Sequence, residues 1–397
     1  MLSAGPTASL GPRLAARLRA RNDALQTFFE REAPQLARAS HEVAGRFARG
    51  GRLYAFGGGP YATDAAHVSV EFVHPVIVGK RALPALDASA APEAFLEALV
   101  GRDDIALAFG PPEGDLRMLA ALRLARRKGA FTLAWPGDEA DYAVVAPSAD
   151  AHVHQEAFEV LGHTLYESVH VFLEHRRDLG SDAGASAFLY PYLGDAPSDS
   201  AAIVDGVARS IVEKARDAAL LREQLADEQA EGIAAAVVAI GERVAAGGRL
   251  LIFGNGGSAT DATDFALDCV LDAPSGPPIP AISLAAEPAI LSAIANDVGV
   301  ELTFLRQLIA QSRPADVAFA MSTSGGSKNV VAALEEARKR GLLTVALLGY
   351  DGGEIVRRGL ADHAIVVRCD YIPRIQEAQA AVYHVMRHAL GELAGDA

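Results

Sequence analysis

The 397-residue chain is predicted to be α/β, two tandem copies of a doubly wound parallel sheet flanked by helices. Three internal matches, all in the same order, carry that prediction. RLYAFGGGPYATDAA (52–66) agrees with RLLIFGNGGSATDAT (249–263) at nine of fifteen positions without a gap, at an offset of 197 residues. DIALAFGPPEGDLRMLAALRLARRKGAFTLA (104–134) lines up with DVAFAMSTSGGSKNVVAALEEARKRGLLTVA (316–346), and HQEAFEVLGH (154–163) with IQEAQAAVYH (375–384). Repetition at about half the chain length means duplication of one structural unit.

Each copy justifies its elements in the same sequence. An amphipathic lead helix ends at a glycine pair, Gly50-Gly51 or Gly247-Gly248, a C-terminal stop signal. A short apolar run follows (LYAF; LLIF), and then a glycine-rich turn opens a helix. A second apolar run (IALAF; VAFAM), a turn, a helix closing on Lys-Gly or Arg-Gly, and a third run (FTLAW; LTVALL) complete the pattern. Apolar strands alternating with helices indicate a parallel sheet covered on both faces. The expected domains are residues 1–178 and 201–397. Between them residues 179–200, which include GSDAGASAFLYPYLGDAPSDS, are the linker, with its aromatic centre expected to pack against a domain.

Composition narrows the function. Half the residues are apolar, enough for a large core. The 36 Lys+Arg against 50 Asp+Glu give a net charge of −14, which argues against nucleic acid or an anionic membrane as partner. Two cysteines, Cys269 and Cys369, make neither a disulfide framework nor a cysteine zinc site, and they suit a reducing cytoplasm. The basic N-terminal stretch has no apolar core of a secretory signal, and no run of 18 apolar residues exists to span a membrane. The expectation is a cytoplasmic protein.

Ligands of open parallel sheets bind beyond the C-terminal ends of the strands. Two loops qualify in the second copy, GNGGSATD (254–261) and STSGGSKN (322–329). In the latter Ser322, Thr323, Ser324 and Ser327 offer four hydroxyls, and Gly325 and Gly326 let a ligand approach the backbone. A helix opens directly after it, so backbone N–H groups and the helix dipole suit a phosphomonoester. The first copy has GPPEGD (110–115) at that point. Pro111 and Pro112 remove donors and Glu113 and Asp115 add negative charge, so this loop is expected to repel phosphate.

GNGGSATDA, STSGGSKNV and RIQEAQAAVYH, in this order and spacing, resemble the SIS (sugar isomerase) domain, and within it the sedoheptulose-7-phosphate (phosphoheptose) isomerases. The resemblance covers most of residues 205–395. It implies an aldose–ketose isomerase acting on a phosphorylated sugar, sedoheptulose 7-phosphate being the implied substrate. It also implies a zinc ion held by a His and a Glu four residues apart after the glycine loop, and by a Gln and a His eight apart on the last helix. The Glu and the last His are then the acid–base pair.

Transferred residue by residue, the second copy departs from this pattern. Asp264 and Asp268 stand where the His and Glu are expected, although Gln376 and His384 remain. The first copy keeps the whole set as His67, Glu71, Gln155 and His163. His67 and Glu71 are i and i+4 and share a helix face, as do Gln155 and His163. Eight of the eleven histidines precede residue 180.

The losses are complementary. The expectation is an internal pseudo-dimer with one composite site between the halves. Phosphate would sit on Ser322, Thr323, Ser324 and Ser327, the sugar on Asn255 and Ser258, and the reacting carbons near Glu71 and His163, with zinc on His67, Glu71, Gln155 and His163. A homodimer would then mimic the family's four-domain assembly. The competing expectation is a non-catalytic SIS sensor of sugar phosphates or an assembly factor.

Overall fold

The computed structural model describes residues 6–76, 79–177, 200–271 and 276–395. All but the last residue of the expected linker, residues 179–199, thus lie outside the described residues. Contacts divide the chain into an N-terminal unit, Asp23–Asp217, and a C-terminal unit, Met1–Asn22 with Ala218–Ala397. This differs from the division expected at 178 and 201, and the apolar stripes explain why. Helix α1 (Pro6–Ala20) carries Leu10, Leu14 and Leu18 at every fourth position, a single apolar face. That face is buried in the core of the C-terminal unit, not in that of the repeat it precedes.

The N-terminal unit runs α2 (Asn22–Ala48), β1 (Leu53–Gly57), α3 (Ala62–Val73), β2 (Ala85–Asp87), α4 (Pro92–Leu99), β3 (Ile105–Phe109), α5 (Leu116–Arg127), β4 (Phe131–Trp135), β5 (Tyr142–Ala143) and α6 (Ala151–Arg177). Helix α7 (Ser200–Glu228) follows; its Val207, Ile211 and Ala215 belong to the N-terminal core, and its Leu225 and Ala226 to the C-terminal one. The C-terminal unit continues with α8 (Ala230–Ala245), β6 (Leu250–Phe253), α9 (Gly257–Val270), β7 (Ala281–Ser283), α10 (Pro288–Asp297), α11 (Thr303–Gln311) and β8 (Val317–Ser322). It ends with α12 (Lys328–Lys339), β9 (Leu343–Gly349), α13 (Gly353–Arg357), β10 (His363–Val367) and α14 (Ile372–Gly395). Among the described residues no helix is long and apolar enough to cross a membrane.

The strand orders are β2-β1-β3-β4-β5 and β7-β6-β8-β9-β10, the same order twice, and every pairing is parallel. Alternation along each strand feeds two cores, as a sheet covered on both faces requires. Leu53 and Ala55 face the cluster containing Phe28 and Phe158, while Tyr54 and Phe56 face the one containing Leu96 and Leu122. Leu250 and Ile252 divide from Leu251 and Phe253 in the same way. The order reverses between β1 and β3 and between β6 and β8, which puts the ligand crevice of each sheet at the loops following those strands.

Polar clamps repeat with the fold. Arg46 Nη1 donates to the carbonyls of Arg102, Asp104 and Gly129, and Arg243 Nη1 to those of Pro314 and Gly341. Each thereby ties the end of a lead helix to the loops beneath the sheet. Asp141 accepts from the amide and hydroxyl of Thr132 at 2.9 and 2.8 Å, and Asp362 from those of Thr344 at the same distances. Gly51 and Gly248 are required by close approach, since a Cβ there would strike the carbonyl of Asp103 or Ala315.

Asp316, fully buried, accepts from the amides of Arg249 and Arg313 (both 2.9 Å) and from Arg249 Nη2 at 3.1 Å. Asp316→Ala leaves these donors unmatched, at an expected cost of about 2–4 kcal/mol. In urea denaturation the midpoint should fall with the slope unchanged. A loss below about 0.5 kcal/mol, the scale of an ordinary surface change, would contradict the clamp.

Candidate functional site

In the N-terminal unit the glycine turn after β1 delivers the chain into α3, whose inner face is buried against α6. His67 and Glu71 stand one turn apart on that face and are 5% and 1% exposed. Across from them α6 presents Gln155, Glu159 and His163 at successive turns, with spacing that puts all three on one side of the helix.

The side chains converge. His67 Nε2 lies 4.0 Å from Glu71 Oε1 and 3.6 Å from Glu159 Oε1, and His163 Nε2 lies 3.9 Å from the same Glu159 oxygen. The two imidazoles meet edge to face, centroids 5.3 Å apart. One ligand atom from each of His67, Glu71 and His163 falls within 4.8 Å of the others, a group able to hold a metal ion. Burial raises the Glu71 carboxyl above the usual carboxylate range; His163 and His67 pull it back, and Glu159 and Glu167 push it further up. Three of the four residues that the resemblance assigns to the metal are thus together. Gln155 stands on the same face, and its amide Nε2 donates to Asp64 Oδ2 at 2.9 Å.

Glu159 is the residue that the sequence pattern did not single out. Its spacing from Gln155 and His163, four residues each way, was the available signal. His154 acts in packing: its Nε2 contacts the carbonyl of Gly110 at 3.0 Å, at the start of the GPPEGD loop, and burial lowers its pKa to about 4.

The matching cluster of the C-terminal unit lies between α9 and α14. Asp264, Asp268 and His384 again bring ligand atoms within 4.8 Å of one another. His384 Nε2 is 3.6 Å from Asp264 Oδ2 and 3.5 Å from Asp268 Oδ2, and Tyr383 donates its hydroxyl to Asp264 Oδ2 at 2.9 Å. Gln376 is buried with its Oε1 lacking a hydrogen-bond partner. The first repeat has Gly162 at the register of Tyr383, and a Cβ there would meet Val68 Cγ2 at 2.8 Å. The two clusters are therefore packed differently.

The serine loop follows β8 as expected. Ser322 is buried and its Oγ accepts from Gly325 N at 3.1 Å; Ser324 is exposed and accepts from Gly326 N at 3.3 Å; Thr323 and Ser327 are half-buried. Ser327 begins α12 as its N-cap residue, with no side-chain hydrogen bond to the helix, so its hydroxyl is not used in capping. Gly325 has φ of 59°, and a Cβ there would strike the carbonyl of Gly352. Ser258 is buried in the first turn of α9. Asn255 and Asn329 exchange amide hydrogen bonds of 2.9 and 2.8 Å, so Asn255 is fixed by a partner that no sequence motif indicated.

In the N-terminal unit Asp115 caps α5, its Oδ1 accepting from the amides of Arg117 at 2.8 Å and Met118 at 3.4 Å. A carboxylate of the chain itself occupies the anion-binding end of that helix. Beside it opens a cleft of about 640 Å³, lined by Gly57–Gly59, Ser89, Glu93, Asp115 and Arg117 among others. None of the clustered residues His67, Glu71, Glu159 and His163 lines it.

A family model, SIS domain, matches residues 215–349. The phosphoheptose isomerase of Chlorobaculum parvum is 40% identical over 189 residues, spanning 47% of this chain and 90% of that protein. That of Geotalea daltonii is 41% identical over 168 residues, spanning 41% and 85%. Among solved structures, the C-terminal domain of glucosamine-fructose-6-phosphate aminotransferase from Francisella tularensis matches with a TM-score of 0.60 at 10% identity, covering 94% of this chain and 95% of that one. Tagatose-6-phosphate ketose/aldose isomerase from Escherichia coli matches with a TM-score of 0.55 at 13% identity, covering 100% and 96%. At such identities the two structures speak for the tandem fold alone.

The Asp268 carboxyl is raised to about 8, chiefly by burial and then by the adjacent Asp264, while His384 and Arg387 oppose the rise. The folded chain therefore holds a proton that the unfolded chain releases near pH 4. The stability tied to that proton is complete below about pH 4 and is lost as pH rises towards about 8. In chelator-treated protein, Asp268→Asn should gain thermal stability relative to the parent steadily from pH 5 to pH 8. Parallel melting curves across that range would show that Asp268 ionises normally.

Proposed function

Because this chain belongs to the SIS-domain family that includes the phosphoheptose isomerases, we propose that it is a sugar-phosphate aldose–ketose isomerase. Its proposed substrate is sedoheptulose 7-phosphate, converted to heptose 7-phosphate through an enediol(ate). The observation that carries this reading is the buried His67–Glu71–His163 cluster, a carboxylate of raised pKa grouped with two imidazoles.

The donor set fits a zinc ion. Two imidazoles and a carboxylate are the ligands of many catalytic zinc sites. Glu71 Oε2 is buried without a hydrogen-bond partner, which an ion would relieve. His67, Glu71 and His163 would hold it, and when bound it supplies Lewis-acid polarisation of the substrate's oxygens.

Ser322, Thr323, Ser324 and Ser327 bind the phosphate with the N-terminal end of α12 behind them. Ser258 and the Asn255–Asn329 pair bind sugar hydroxyls. Glu71 and His163 form the acid–base pair. One takes the proton from the carbon next to the carbonyl, and it returns to the neighbouring carbon. The other carries the hydroxyl proton to the former carbonyl oxygen. Burial raises the Glu71 carboxyl above the usual carboxylate range, the direction that suits a group exchanging protons with a sugar carbon or hydroxyl.

Support also comes from the first repeat. It lacks a serine loop, its α5 is capped by Asp115, and yet it keeps the acid–base set. A chain serving only as a sensor or scaffold has no use for that set.

With sedoheptulose 7-phosphate as substrate, Glu71→Gln should lower kcat by about 10²–10⁴-fold, the usual worth of a positioned acid–base group. Ser324→Ala should act chiefly on KM, raising it about tenfold for one lost hydrogen bond to a charged group. Unchanged kinetics in both variants would sink the catalytic reading, and retained sugar-phosphate binding without turnover would establish the sensor instead.

A further inference from the structure

We propose that Glu159 is the fourth metal-facing residue of the His67–Glu71–His163 cluster, in the role that the resemblance assigns to Gln155. The inference rests on the metal-assisted reading above and adds a residue to it.

Geometry comes first. A single oxygen, Glu159 Oε1, lies 3.6 Å from His67 Nε2 and 3.9 Å from His163 Nε2, so it bridges the two imidazoles. His67 Nε2 is also the atom that faces Glu71, at 4.0 Å. Two ligands about 2.1 Å from a tetrahedral ion are roughly 3.4 Å apart. The observed separations are close to such ligand–ligand edges and longer than direct hydrogen bonds. Gln155 donates its amide Nε2 to Asp64 Oδ2 at 2.9 Å, whereas Glu159 stands at ligand-scale distances from both imidazoles.

Charge points the same way. Two neutral imidazoles and two carboxylates balance a divalent cation, whereas a glutamine in place of Glu159 leaves a net positive charge in a buried site. The next carboxylate along the same face, Glu167, is neutralised differently, by the buried ammonium of Lys214. Glu159 has imidazoles at that level of the helix, and its side chain is 8% exposed.

The duplication supplies an internal comparison. Ala380 stands at the register of Glu159 in the second repeat, where Asp264 and Asp268 replace the His and Glu. The extra carboxylate is confined to the copy that retains the family's metal residues.

Zinc binding to the chelator-stripped full chain, measured by calorimetry, tests this directly. Glu159→Ala should weaken zinc by about 100-fold or more, at or beyond the upper end of what a supporting residue costs. Glu159→Gln, which keeps an oxygen and loses the charge, should fall between that variant and the parent. Gln155→Ala should stay within about threefold of the parent. The visible spectrum of the cobalt-substituted protein should change with Glu159→Ala and not with Gln155→Ala, since only a ligand alters the metal's geometry. Unchanged zinc affinity in both Glu159 variants overturns the proposal. So does a loss in Gln155→Ala equal to that in His67→Ala, and so does a parent chain that binds no zinc. Should Glu159→Ala fail to fold, the Glu159→Gln titration decides alone. A parent that binds zinc through Glu159 yet isomerises no sugar phosphate would refute the isomerase reading and leave this inference standing. An active isomerase whose zinc affinity ignores Glu159 would do the reverse.

Discussion

The close burial of α3 against α6 is the constraint on which the candidate site depends. At Gly162 the helices approach so nearly that a single Cβ would meet Val68. That contact lets short side chains from the two helices reach one another in an interior from which water is excluded. Without it His67 and Glu71 would be an ordinary i, i+4 pair on a surface helix, worth a few tenths of a kcal/mol. With it they join His163 and Glu159 in a cluster where desolvation governs protonation. The second repeat has Tyr383 at the equivalent position, and its hydroxyl is bonded to Asp264. One duplicated scaffold thus carries two polar centres built on different residues and different partners.

Each centre has its own way of meeting the cost of buried charge. In the N-terminal unit the carboxylates of Glu71 and Glu159 alternate with imidazoles, and Glu167 is paired with Lys214. In the C-terminal unit a phenol, an imidazole and a carboxyl that retains its proton to about pH 8 share the load. Both are consistent with the rule that buried ionisable groups are paired, protonated or bound to a cation. The helix termini show a similar divergence. Asp115 fills the anion-binding end of α5 from within the chain, while α12 begins at a serine whose hydroxyl makes no cap. Two related helix starts are therefore electrostatically unlike: one capped by a carboxylate of the chain, the other without a side-chain cap.

Much of the fold was legible in the sequence. The glycine pairs, the apolar runs and the three ordered matches follow from local rules of helix capping, strand burial and chain reversal, which read the same in either copy. Spacings of four and eight residues placed His67 with Glu71 and Gln155 with His163 on shared faces. Two features escaped. The exchange of α1 into the core of the C-terminal unit leaves no local mark, because its leucine stripe at positions 10, 14 and 18 would suit any apolar groove. Glu159 was passed over because it stands at a position that the family's pattern leaves without a function.

The sequence by itself determined the duplication, the doubly wound architecture, the serine loop and the division of histidines between the halves. These are matters of periodicity and residue type along the chain. Only the tertiary structure decided which polar groups meet. It put Glu159 between two imidazoles, turned the Gln155 amide to Asp64, and paired Asn255 with Asn329. The physical reason is that a helical face specifies a direction and not a neighbour. Which side chains come within a few ångströms depends on how closely two helices pack, and residues such as Gly162 set that closeness.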